Sequence, residues 1–427
     1  MNQLAGITQT DTFTERLEQL YGTFSPLEYQ KQRYQALIET HLSYIEGEQV
    51  IQSGLFSTSG RTELGGNHTD HNHGKVIAGS INLDTIAAVS TVSTSLVKLI
   101  SPGFPDVVVD ISSVEYRKEE EGTTDSLVRG IADAFLKRNL RIGGLVIHTS
   151  TNVLKGSGLS SSAAIEVLIG TIFNSMYNEE VLDPVELAII GQYAENNYFG
   201  KPSGLMDQIA CAVGNVVSID FKEASKPSVS SIPVDFTSHG YQLMIVDTKG
   251  DHASLTGDYA SIPAEMKSVA RYFGKEVLRE VSLESFLQKL PVIREKIGSD
   301  RAVLRAFHFL KENERVETME KALRNDDIAL YLEMVRESGL SSFNYLQNIY
   351  SPDNPAVQPI AVALAVCDHL LKEEGAARVH GGGFAGTIQV YVPVAMKETF
   401  TMEMEKLFGK GSVTELTIRA LSTCRVI

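Results

Sequence analysis

Apolar positions fall at helical spacing over residues 11–21 and 25–44, so the chain is expected to open with helices. The pattern then changes. Residues 75–90 are mostly apolar and β-branched, 107–111 alternate weakly, and 144–149 form another short apolar run; all three are predicted strands. Residues 156–162 are rich in Gly and Ser and open a helix whose stripe, Ala164, Val167, Leu168 and Ile172, recurs at helical spacing. A second helix is predicted over 184–199, stopped at Gly200. The Ser-, Pro- and Lys-rich stretch 222–238 reads as a junction, dividing the chain into domains 1–230 and 231–427. Beyond it come a strand at 241–247, a long helical region over 261–350 and a helix over 354–374 ended by Gly375. Val379 then leads into a glycine turn at 381–386, a strand at 387–392, a helix at 395–408 and a last strand at 413–418. This is a split βαβ pattern, an α+β layer with helices on one face of an antiparallel sheet.

Composition narrows the function classes. A length of 427 residues allows two or three domains, and 43% apolar with 21% charged residues suits a globular chain. No apolar run approaches the ~20 residues of a membrane helix, and residues 1–20 lack a basic segment followed by an apolar one, so a cytoplasmic location is expected. The net charge of −15 argues against nucleic acid, which needs a basic face. An anionic small molecule would have to be drawn by local donors and a cation. The three cysteines, Cys211, Cys367 and Cys424, are too scattered for a disulfide framework or a zinc site and read as buried small apolar groups.

Three segments carry chemistry. The first is GSGLSSSAA, containing Gly156, Ser157, Gly158, Leu159, Ser160, Ser161 and Ser162. A glycine-rich loop running into a helix presents free N–H groups and the positive end of the helix dipole, an anion site. It is not a Walker A loop, and on its own it equally fits a serine-rich helix cap. The second is ENNYFGKPSGLMDQ, with Glu195 and Asp207 either side of a Gly-Pro-Ser-Gly-like turn. One carboxylate suits a hard cation and the other a proton, though solvated surface acids would look the same. The third is GRTELGGNHTDHNHG, which packs Arg61, Asn67, His68, Asp70, His71 and His73 between glycines. It reads as a loop gripping a polyhydroxy ligand. A metal site is the rival, but the histidine spacing matches no zinc motif.

Together these segments resemble the GHMP kinase superfamily. GSGLSSSAA is similar to its phosphate-binding block and HGGGFAG (380–386) to its glycine-rich third block. GRTELGGNHTDHNHG resembles the galactokinase signature, roughly G-R-x-N-x-x-G-E-H-x-D-Y, and the MDQ of 206–208 is a further galactokinase feature. The resemblance implies an α+β, two-lobed fold, with an N-terminal lobe like ribosomal protein S5 domain 2, a ferredoxin-like C-terminal lobe, and the active site between them. It implies ATP and Mg²⁺. By position, Asp207 would be the catalytic base and Arg61 would stabilise the transferring phosphoryl group. Ser162 and Glu195 would hold the cation. Asn67, His68, Thr69, Asp70, Gly204 and Tyr259 would bind the sugar. The protein is expected to be a monomer or weak dimer, with sugar and ATP as its partners.

Two departures stand out. Position 67 is Asn where galactokinases have Glu, and 71 is His where they have Tyr. The family's Glu meets the C6 hydroxyl of galactose. Asn67 can also bond that hydroxyl, but it removes a charge that would repel a C6 carboxylate. Galactose is therefore the expected substrate of a C1 kinase, with galacturonate as the alternative. A non-catalytic sugar sensor on the same fold is disfavoured, because Arg61, Ser162, Glu195 and Asp207 are all in place.

Overall fold

Two sheets organise the chain. The computed structural model describes residues 4–22, 26–153, 158–250, 255–384 and 386–427. The first sheet contains β1 (Val50–Gly65), β2 (Lys75–Val92), β3 (Leu96–Ile100), β4 (Val107–Asp110), β5 (Gly144–Thr151), β6 (Val216–Asp220) and β7 (Ser228–Ile232). The second contains β8 (Tyr241–Asp247), β9 (Ala376–Val379), β10 (Thr387–Pro393) and β11 (Val413–Leu416). A short β12 (Cys424–Arg425) returns to the first sheet beside β1. The strand orders are β12-β1-β2-β5-β3-β4, with β6 and β7 branching from β2, and β11-β8-β10-β9.

Packing follows the side-chain alternation of the strands. In the first sheet, Phe56, Val89 and Ile147 face the helices Thr124–Leu136, Ser161–Asn178 and Pro184–Ala194. On the opposite face, Leu55, Ile86 and Ala88 are covered by the opening helices Asp11–Tyr21 and Leu27–Tyr44. In β8, Met244 and Val246 face the helices Pro359–Leu371 and Lys397–Phe408, as the split βαβ pattern requires. Leu243 and Ile245 point the other way, into a core shared with Leu64, Ile77 and Ile81 of the first sheet. The two sheets are thus joined by apolar packing. Among the described residues, no helix is long and apolar enough to cross a membrane.

The predicted elements largely fall where the pattern puts them, but β3, β6 and the helices Thr124–Leu136 and Met206–Val213 had no predicted counterpart, and three further differences bear on the site. Residues 60–65 belong to β1 rather than to a loop. Their Gly, Arg, Thr and Glu content hides a strand that is buried on both faces, with register shifts at 59/61 and 63/65. The stretch 222–238 holds the strand β7. The helix expected to run to residue 199 turns π-helical at Glu195–Phe199 before Gly200, whose φ of 83° ends it.

Candidate active site

The cleft encloses about 250 Å³ and is lined by the end of β1, the loop after it, the start of helix Ser161–Asn178, the 201–208 turn and the glycine turn after β9. Arg61 and Glu63 lie two apart on β1 and so face it together. The Arg61 guanidinium grips Asp207 with two parallel bonds, Nε to Oδ1 at 2.8 Å and Nη2 to Oδ2 at 2.7 Å. This fork matches the planar geometry of a carboxylate. Arg61 is buried, whereas the Asp207 side chain keeps 34% of its exposure and reaches the cleft. Burial would raise the Asp207 carboxyl, but the Arg61 charge, with the Ser160 hydroxyl and Lys201, holds it below the ordinary aspartate value.

The glycine–serine turn is tied to the same pair. Arg61 Nη1 donates to the Gly158 carbonyl and its backbone N–H donates to the Leu159 carbonyl at 3.1 Å. Ser160 adopts a left-handed φ of 60° and donates its hydroxyl to Asp207 Oδ2. Leu159 is wholly buried, anchoring the turn, while Ser161 is half-buried and Ser162 exposed at the start of a helix whose first turn holds no acid. The amides of this helix start and the positive end of its dipole therefore lie near Asp207, where an anion would be favoured. Gly156 and Ser157 lie outside the described residues, as does Ala385 of the glycine turn.

At the other end of the cleft, His68 (φ 58°) donates from Nε2 to the Gly382 carbonyl at 2.9 Å. Burial lowers its pKa to about 4, so the ring is neutral at pH 7. Asp70 accepts the His71 N–H at 2.9 Å and lies against Gly204, where a Cβ would sit 2.3 Å from Oδ2. Three residues expected to touch the sugar do not line the cleft. Asn67 is wholly buried: its amide donates to Glu63 Oε1 (3.0 Å) and the Gly381 carbonyl (2.7 Å), and its oxygen accepts from Asn348 (2.8 Å) and Ser342 (3.4 Å). Thr69 is buried with its hydroxyl against the Lys75 carbonyl, holding the loop closed. Tyr259 packs its ring on Gly382 and donates to the Gly383 carbonyl at 3.1 Å, supporting the glycine turn from behind.

Glu195 also lines the cleft but is already engaged. Its Oε1 pairs with Lys201 at 2.8 Å, and its Oε2 accepts from Ser203 and from Gln208 at 2.9 Å. Gln208 donates equally to Glu166, which is wholly buried; burial, and then the Glu195 charge, push the Glu166 carboxyl well up. Glu166 Oε1 and Gln208 Oε1 have no hydrogen-bond partner among the described residues. Ser162 and Glu195 offer oxygen ligands only, which fits a hard cation once Lys201 swings away. Among the described residues, no group of three or more His, Cys, Asp or Glu is placed to hold a metal, so the histidines of 68–73 form no such centre.

Sequence reading missed Glu63, Glu166 and Lys201. Glu166 had a signal: a single acid in the apolar run AAIEVLIG. Glu63 had another, because the signature quoted above has Asn at its position. Acid and amide have exchanged places between 63 and 67.

The GHMP kinases N terminal domain matches residues 126–215, and the galactokinase galactose-binding signature matches residues 44–91. A galactokinase of Streptomyces coelicolor is 29% identical over 364 residues, covering 84% of this chain and 90% of that protein. The structure of Lactococcus lactis galactokinase complexed with galactose superimposes with a TM-score of 0.76 at 22% identity, over 91% of this chain and all of that one. Methanococcus jannaschii mevalonate kinase gives 0.60 at 15% identity, over 85% and 98%. These two likenesses bear on the fold alone. With the domain match, the signature match and the curated relative, the chain is similar to galactokinases of the GHMP kinase superfamily, and it shares their fold.

Proposed function

We propose that this sugar kinase transfers the γ-phosphoryl group of ATP to the anomeric hydroxyl of galactose, giving galactose 1-phosphate and ADP. One observation carries the reading: an ionised aspartate, Asp207, is clamped by Arg61 and touched by Ser160 at the mouth of a helix N-terminus. Phosphoryl transfer asks mainly for positioning and charge stabilisation. The amides at the start of helix Ser161–Asn178 would hold phosphate oxygens. Arg61 would face the charge that develops on the transferring group, and Asp207 would accept the hydroxyl proton. Ser162 and Glu195 would hold Mg²⁺, which supplies neutralisation of the phosphate charge when bound.

The test is ADP release with MgATP and a panel of galactose, galacturonate, glucose, N-acetylgalactosamine and arabinose, with the product's position of phosphorylation read by ³¹P NMR. Galactose 1-phosphate is the expected product. Absence of ADP with every sugar would leave a sensor rather than an enzyme. Asp207→Asn is expected to lower kcat by about 10²–10⁴-fold; near-normal turnover removes Asp207 from its role.

A further inference from the structure

Resting on that reading, we infer that Glu63 supplies the sugar-facing carboxylate that the galactokinase signature carries four residues later, and that it selects a neutral hexose over a hexuronate. The two side chains have divided one task. Asn67 is committed to four protein groups and does not line the cleft. Glu63 does line it. Its Oε1 accepts from Asn67 at 3.0 Å and from the wholly buried Arg378 at 2.6 Å, while no described residue gives Oε2 a hydrogen bond. A carboxylate fixed through one oxygen, with the other turned to a cleft, is an acceptor for a ligand hydroxyl.

Position supports the same sugar contact. Because Asn67 and Glu63 touch, the charge has moved by one side chain and not across the cleft. It stays at the corner where the signature's Glu meets the C6 hydroxyl. Arg378 is the counter-charge that makes a carboxylate tenable at this depth. The exchange also explains why residue 67 is an amide here. A second carboxylate at 67 would face Glu63 at hydrogen-bond distance and the Gly381 carbonyl besides. A substrate carboxylate at C6 would meet the same obstacle.

The experiment compares kcat/KM for galactose, 6-deoxygalactose and galacturonate in the wild type and in Glu63→Gln. The wild type should favour galactose over galacturonate by at least about 10²-fold, as expected of two carboxylates some 4 Å apart. Glu63→Gln should lower the galactose value by about 10-fold or more, leave 6-deoxygalactose nearly unchanged, and narrow the gap to galacturonate. A wild type that takes galacturonate as well as galactose overturns the inference, as does a variant that lowers all three sugars by one factor, the mark of a purely structural partner for Arg378. The wild-type comparison needs no variant, so it decides even if Glu63→Gln fails to fold. Failure of the kinase reading looks different: no ADP with any sugar. Calorimetric sugar binding then replaces turnover, with the same selectivities required.

Discussion

Gly204→Ala separates binding from stability at the end of the cleft proposed to hold the sugar. A Cβ on Gly204 would lie 2.3 Å from Asp70 Oδ2, 3.3 Å from its Cγ and 3.9 Å from its Cβ. An ordinary C···O contact is about 3.3 Å, so the carboxylate must retreat by roughly 1 Å. The collision is with the tip of one side chain and not with backbone, and Asp70 can turn away from it. Stability should therefore change by about 0.5 kcal/mol or less. Function should not be so tolerant, because a reactant or its holder displaced by ~1 Å can cost about 10²-fold. The measurements are KM and kcat for galactose at saturating ATP, KM for ATP at saturating galactose, and Tm. The expected result is a large rise in KM for galactose with Tm and the ATP KM nearly unchanged. Unchanged galactose kinetics would show that Asp70 does not touch the sugar. A fall in Tm of many degrees would show that the Asp70–Gly204 contact is rigid, and would refute the argument from side-chain freedom.

Two further outcomes follow from charges outside that contact. His41, wholly buried at 3.0 Å from His148, has its pKa lowered to about 3 by burial and then by the His148 charge. The unfolded chain takes up this proton near pH 6.5 and the folded chain refuses it until about pH 3, so stability is present above 6.5 and falls as pH drops, by about 2 kcal/mol at pH 5. Tm measured from pH 7.5 to 5 should fall accordingly, and less steeply in His41→Asn; equal slopes would remove His41 as the cause. Lys201, 58% exposed and paired to Glu195, should contribute under ~1 kcal/mol to stability. Lys201→Met should nonetheless lower the Mg²⁺ concentration for half-maximal rate several-fold by freeing Glu195; a raised requirement would mean that Lys201 assists the phosphates instead.

What could be read from the sequence was whatever is local. The glycine–serine turn, Arg61 and Asp207 each sit in a short segment whose residue types already state a chemistry, and folding only brings the segments together. Ser160 touching Asp207 across 47 residues completes a picture whose parts were visible. Glu63 and Asn67 are the opposite case. Their four-residue spacing gives no hint of which one faces the cleft. That is decided by Arg378, 315 residues from Glu63, and by Asn348 and Gly381, 281 and 314 residues from Asn67. β1 compounds the difficulty, since a strand buried on both faces through Ser, Thr and Gly shows no alternation to read. The same burial gives the strand its value to the site. Its end is held to the second sheet by Gln389, which donates to Thr62 at 2.7 Å and to the Glu63 carbonyl at 2.9 Å, and by His380, which burial and then the nearby arginine charges keep neutral beside Thr62 at 3.1 Å. Arg61 and Glu63 thus ride on one rigid strand. The group that grips Asp207, the proposed base, and the group proposed to choose the sugar cannot move independently, so a substrate that misplaces Glu63 should disturb the chemistry at Asp207 as well as the binding.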